Sequence, residues 1–202
     1  MDATGWDLRY AGSELVWGSE PNRFVAEELA ALPPGRALDV ACGEGRNAIW
    51  LATRGWHATG ADFSAAAVER ARRLAASAGV ADRTEFVVAD VVSGQLPGGF
   101  DAVVVAYLQL PAVERQSALR RAAAALAPGG TLLVVAHDLA NLTEGVGGPQ
   151  DARVLYTADD VLADLAGLAL VVEKAQPVRR SVQTDDGERE AIDALVRVRR
   201  TG

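Results

Sequence analysis

The chain has 202 residues, 50% of them apolar, with a formal net charge of −7 and an isoelectric point near 4.9. That length buries the core of one ordinary domain, and the acidic balance argues against a phosphate-backbone partner, which requires a basic face. Cys42 is the only cysteine, so no internal disulfide forms. With only His57 and His137 beside it, no metal site built on clustered thiolates is expected either, a composition that fits a reducing cytosol. Residues 1–25 carry acids and lack the basic start and apolar run of a signal peptide, and no stretch reaches the ~18 apolar residues of a membrane span. The expected location is the cytoplasm.

From residue 36 to 138, short β-branched runs alternate with alanine-rich amphipathic stretches, the pattern of βα units around a parallel sheet. The first strand is expected at 36–42 and a helix at 45–54. A second strand follows at 57–63, then a helix over 64–79 with Ser64 as N-cap and Gly79 as its stop. Strands at 84–90 and 100–106 come next, the second apolar enough to be buried on both faces. A helix over 112–130, closed by Pro128 and the glycine pair, leads to a fifth strand at 131–138. Residues 139–154 are glycine-rich and aperiodic and read as a long loop of the kind that covers a site. A helix at 157–167 starts from Thr157, with an acid three residues later. Two extended segments, 168–180 and 188–200, are separated by the turn TDDG and pair antiparallel, although EREAIDALV alone also suits a helix. The fold class is therefore α/β: a doubly wound, Rossmann-like sheet of seven strands, mostly parallel with an antiparallel C-terminal strand, and helices on both faces. No internal repeat, low-complexity segment or linker divides the chain.

The sequence GEGRNA after the first strand satisfies G-x-G-x-x-G/A. Gly43 and Gly45 let the backbone turn sharply and present bare amides at a helix N-terminus, a place suited to negative charge. Asp39, at the end of the strand before those amides, repels a pyrophosphate and attracts an ammonium. A ligand carrying both charges close together fits, and the amino-acid end of S-adenosylmethionine is such a ligand. Two further acids fall at strand ends on the same sheet edge. Asp62 lies 19 residues after Gly43, the offset of a carboxylate that accepts from ribose hydroxyls, and Asp90 is placed to accept from an adenine amine.

The segments LDVACGEGRNAIWLA, GADFS, VVADV, FDAVVVAY and LAPGGTLLVV resemble the ordered motif set of class I S-adenosylmethionine-dependent methyltransferases across residues 36–138. The glycine loop followed by GRN resembles the tellurite-resistance type. The N-terminal WDLRYAGSELVWGSEPN is similar to that of thiopurine-type small-molecule methyltransferases, whose aromatic residues close over the cofactor. The resemblance implies one methyltransferase domain over 1–202, with an N-terminal lid (1–35), a cofactor-binding core (36–138) and a substrate-side loop, helix and antiparallel end (139–202).

The residues it implies for the cofactor are Trp6, Tyr10 and Trp17 in the lid and Asp39, Ala41, Gly43, Gly45 and Asn47 around the methionine end. Asp62 serves the ribose, Phe63 and the pair Asp90 and Val91 hold the adenine between them, and Ser64 and Ala106 complete the set. Ala41 stands where a glycine is common. Tyr107 and His137 are the candidate catalytic residues, with no acid assigned to orient His137. Arg179, Arg180 and Arg153 are the cations available to an acceptor pocket, and no metal is implied. The expected partner is a small molecule carrying a soft nucleophile, a thiol or a chalcogen oxyanion; neither nucleic acid nor membrane is expected, and the protein is a monomer or homodimer. Two competing readings are a non-enzymatic S-adenosylmethionine-binding module and a nicotinamide-dependent oxidoreductase, which Asp39 disfavours.

Overall fold

The computed structural model describes residues 3–11, 15–16, 18–185 and 187–202. Seven strands form one sheet: β1 (Arg36–Val40), β2 (His57–Asp62), β3 (Thr84–Val88), β4 (Phe100–Ala106), β5 (Leu126–His137), β6 (Leu170–Thr184) and β7 (Gly187–Arg200). Their order is β3-β2-β1-β4-β5-β7-β6. The pairs β1–β2, β2–β3, β1–β4 and β4–β5 are parallel, and β7 runs antiparallel to both β5 and β6. The chain order reverses between β1 and β4, so the crevice at the carboxyl ends of those strands is the ligand edge of the sheet.

The helices are α1 (Ala3–Tyr10), α2 (Arg23–Leu29), α3 (Arg46–Thr53), α4 (Ala65–Ser77), α5 (Ala112–Ala124), the single turn α6 (Asn141–Glu144) and α7 (Ala158–Asp164). Strand residues of alternate parity divide between two cores, as a period of two requires. Leu38, Val103, Val105, Leu132 and Val134 pack with Leu119, Tyr156 and Val161 on the α5/α7 face. Ala37, Ala102, Val104, Leu133 and Val135 pack with Leu29, Leu51 and Val68 on the α2/α3/α4 face. Because β5 is covered on both sides, Leu132 to Ala136 form an unbroken buried run.

Local chemistry fixes the helix starts. Ser64 Oγ accepts from the Ala67 amide at 3.1 Å, and Thr157 with Asp160 makes a reciprocal capping box. Asn22 Oδ1 accepts from the Phe24 and Val25 amides to start α2. Two departures from the sequence reading stand out. The helix expected over 112–130 ends at Ala124: the chain turns at Ala125, Leu126 pairs with Phe100, and the Pro128–Gly130 stretch lies inside β5 as a register irregularity. The loop at 139–154 contains α6. The segment 188–200 is strand as expected, and pairing on both sides by β5 and β6 overrides the helical leaning of EREAIDALV. Among the described residues no helix is long and apolar enough to cross a membrane.

The turn between β1 and α3 depends on Gly45. Its φ is +82°, and a Cβ there would lie 2.7 Å from the Phe86 ring and 3.0 Å from Ala71 Cβ. Gly45→Ala therefore combines a left-handed penalty of about 1–2 kcal/mol with overpacking of about 1–3 kcal/mol. Urea denaturation is expected to show a loss of about 2–5 kcal/mol, whereas a change below about 0.5 kcal/mol would mean that the turn relaxes freely.

Candidate functional site

The loop after β1 is built from left-handed residues: Ala41 (φ 56°), Gly43 (φ 53°) and Gly45 (φ 82°). Ala41 pays a steric cost there that glycine would not, so the neighbouring contacts must hold it. They do: the Gly43 amide donates to Asp62 Oδ2 at 2.8 Å, and the Ser64 amide donates to Asp62 Oδ1 at 2.9 Å. One carboxylate at the end of β2 thus joins the β1–α3 loop to the start of α4. Burial raises its pKa, against the pull of those two amides.

Asp39 is 1% exposed at the end of β1, on the same face as Ala37. Its carboxylate accepts from the Ala48 amide at 3.3 Å. Burial, supported by the charge of Asp62, pushes its pKa up to about 7, with the Ala48 amide and Arg46 acting in the opposite direction. Arg46, the first residue of α3, is a half-buried cation whose pKa is lowered by burial. Asp39 and Arg46 set a buried acid and a half-buried cation at the mouth of the loop.

The N-terminal segment is fastened over this edge. Asp7 Oδ1 accepts from Ser64 Oγ at 2.5 Å and from the Ala66 amide at 3.2 Å. The Val16 amide donates to Glu44 Oε2, whose other oxygen meets Arg70 at 2.8 Å. The Asn22 amide donates to the buried Asn47 Oδ1 at 2.8 Å. Trp6 stacks on Tyr10 with ring centroids 5.4 Å apart, and Tyr10 is buried. Trp17 lies outside the described residues.

At the next strand end, Phe63 is 36% exposed and Val91 is buried. Asp90 lies two residues beyond β3, and its oxygens accept from the Val92 amide (2.9 Å) and Ser93 Oγ (2.5 Å), which hold its carboxyl below the usual range. It acts as the cap of a local turn. Cys42 is core: its Sγ would meet a Cβ placed on Gly60 at 2.8 Å, and burial pushes its thiol up.

Beyond β4 the structure brings the two catalytic candidates together with an acid that sequence reasoning missed. Tyr107 (φ 59°) and His137 have ring centroids 4.7 Å apart. Asp193 of β7, fully buried, pairs in register with His137. Its Oδ2 accepts from Tyr107 Oη at 2.8 Å and from Arg180 Nε at 2.7 Å, and its Oδ1 lies 3.3 Å from His137 Nδ1. Burial and the Asp193 charge push the Tyr107 phenol up. Burial opposes the Arg180 charge, but Tyr107 and Asp193 outweigh it and raise the Arg180 pKa. The arginine pair splits. Arg180 turns into this cluster, while Arg179 meets Glu190 and Glu144 outside it. Arg153 is exposed and forks onto Asp151. A usable signal for Asp193 existed: in a strand, it shares a face with Leu195, which is buried.

Residues 37–130 match the model of a methyltransferase domain. A demethylmenaquinone methyltransferase of Clavibacter sepedonicus is 34% identical over 130 residues, 63% of this chain and 49% of that protein. The chain spans about half the length of the curated relatives it matches first. A structure solved for the conversion of a disulfide bond into a thioacetal group during echinomycin biosynthesis superposes with a TM-score of 0.77 at 24% identity, covering 98% of this chain and 92% of that one. The N-methyltransferase NodS from Bradyrhizobium japonicum, in complex with S-adenosylhomocysteine, gives 0.73 at 18% identity, covering 99% and 98%. These two likenesses establish the fold.

The Asp39 carboxyl carries a testable signature of its own. Its folded pKa lies above its unfolded value of 3.8, so ionisation is disfavoured in the fold. The penalty is absent below about pH 4, grows as pH rises toward 7, and is constant above that. Asp39→Asn should therefore stabilise the ligand-free protein at pH 8 by about 2–4 kcal/mol and leave it nearly unchanged at pH 4. Chemical denaturation at the two pH values decides this; an equal effect at both would show that Asp39 is ionised at no cost.

Proposed function

We propose that this protein binds S-adenosylmethionine at the glycine loop and transfers its methyl group to a small-molecule acceptor with a soft nucleophile, a thiol or a chalcogen oxyanion, leaving S-adenosylhomocysteine. The observation that carries the reading is the pair of opposite charges at the mouth of the loop, the buried Asp39 carboxyl with its pKa near 7 and the half-buried Arg46 cation. A zwitterionic amino-acid terminus answers both. Its ammonium takes the Asp39 carboxylate, and its carboxylate takes the Arg46 charge and the loop amides around Gly43 and Gly45. A nicotinamide dinucleotide offers a pyrophosphate instead, which Asp39 repels.

In this reading, each Asp62 oxygen keeps a lone pair for a ribose hydroxyl beyond the one amide it already accepts. Phe63 and the Asp90–Val91 pair flank the adenine, Ala41 and Asn47 stand at the methionine end, and Ser64 and Ala106 complete the cofactor set. Residues 1–35, with Trp6, Tyr10 and Trp17, close over the cofactor core of residues 36–138, and residues 139–202 form the acceptor side. The cofactor supplies an electrophilic methyl on a sulfonium. The chain orients the two reactants and excludes water, and alignment alone accounts for roughly 7–11 kcal/mol of barrier. A soft nucleophile suits a site whose Tyr107 cannot serve as a base, because its proton is held by Asp193.

Titration calorimetry at pH 6 in two buffers of different ionisation heat tests the reading. S-adenosylmethionine and S-adenosylhomocysteine should each bind with release of close to one proton, from Asp39, and the release should fade at pH 8. NAD should give no heat. Binding of NAD in preference to both would overturn the proposal.

A further inference from the structure

Among the described residues, the only buried side-chain polar atoms left without a hydrogen bond are His137 Nδ1 and Asp193 Oδ1. They face each other at 3.3 Å without a hydrogen bond between them. A buried donor and acceptor left unmade are costly, and a pair with a purely structural role would close in the resting fold. The surroundings hold the imidazole in place for another purpose. Tyr107 lies on one side of it, and Gly148 of the 139–154 loop lies so close that a Cβ there would sit 2.9 Å from three ring atoms. Gln109 receives the His137 amide and donates to the Val154 carbonyl, tying β5 to the far end of that loop.

The groups facing His137 divide by role. Tyr107 is a committed donor, with its hydroxyl on Asp193. Arg180 is a cation already balanced by the same carboxylate. Asp193 is sealed at 0% exposure. His137 alone keeps an open acceptor: with Nδ1–H turned to Asp193, Nε2 is the free nitrogen, and the side chain retains 14% of its surface. The wall of the site that adjoins Arg46 through Tyr107 therefore offers one base, backed by one acid.

We propose that His137 and Asp193 are a proton-accepting pair that selects a neutral thiol as the methyl acceptor. The inference rests on the methyltransferase reading above and narrows it. The thiol gives its S–H proton to His137 Nε2, and its sulfur forms a bond to the methyl carbon. The bond from that carbon to the cofactor's sulfur breaks with the electron pair staying on that sulfur. The products are a methyl thioether, S-adenosylhomocysteine and a protonated His137, which returns its proton to solvent. His137 is the catalytic residue and Asp193 a positioning residue that fixes its tautomer. A thiol, ordinarily near 8.5, is far closer in acidity to an imidazole, ordinarily near 6.5, than an alcohol is. A chalcogen oxyanion needs no base, and the nearest guanidinium, Arg180, is neutralised by Asp193.

The test measures S-adenosylhomocysteine formation by the full chain at pH 7 with three acceptors: 2-mercaptoethanol, which is mostly un-ionised, pentafluorothiophenol, which is ionised, and phenol. His137→Gln should lower the ratio of kcat/KM on 2-mercaptoethanol to that on pentafluorothiophenol by about 100-fold, and Asp193→Asn should move it the same way. S-adenosylhomocysteine affinity should stay at the wild-type value in both, which also checks folding; His137→Gln alone carries the test if Asp193→Asn unfolds. Equal losses on both thiols would make the pair merely structural and overturn the inference, as would wild-type activity on pentafluorothiophenol alone or a preference for phenol. Failure of the wild-type protein to bind S-adenosylmethionine, or to methylate any acceptor, would overturn the methyltransferase reading and the inference with it.

Discussion

The grip of the Asp62 carboxylate on the amides of Gly43 and Ser64 is the contact on which the ligand edge depends. It joins the turn after β1 to the helix after β2, and it holds Ala41 in a left-handed conformation that its side chain disfavours. Ser64 passes the connection on. Its hydroxyl caps α4 and donates to Asp7, so the N-terminal helix is anchored to the same point. The N-terminal helix, the β1–α3 loop and α4 are thus tied together by one acid and one hydroxyl.

Burial of Asp39 works against stability, and that is informative. A carboxyl sealed at 1% exposure with one long backbone hydrogen bond is kept in an environment that opposes its charge. A cationic partner reverses the balance, so the stability forgone in the ligand-free fold reappears as affinity. The same logic runs through the Tyr107, His137, Asp193 and Arg180 cluster. There, three donors converge on one buried acid, and only part of the available hydrogen bonding is made.

Much of this was legible in the sequence where local rules act. Asp39, Gly43 and Asp62 stand at spacings that only a strand, turn and strand satisfy, and Ser64 and Thr157 announce their helices by capping chemistry. Reading failed where distant pairing decides. Pro128 and the glycines after it look like a helix stop, yet the chain had already turned at Ala125 because Leu126 has Phe100 to pair with. Asp193 sits in a stretch that also suits a helix, and only its register opposite His137 turns it into the acid behind the imidazole. Asp90 shows the converse: its strand-end position suggests a ligand contact, while Val92 and Ser93 engage it locally.

The central claim is that the polar edge running from Asp62 through Asp39 to the Tyr107–His137 wall holds one molecule in one direction. A crystal structure of the protein with S-adenosylhomocysteine tests it most directly. The account predicts the ribose hydroxyls on Asp62, the ammonium on Asp39 and the sulfur opening toward Tyr107 and His137. A bound molecule lying in reverse, with its adenine against Asp39, or seated away from this edge in the groove lined by Trp50 and Trp56, would contradict it.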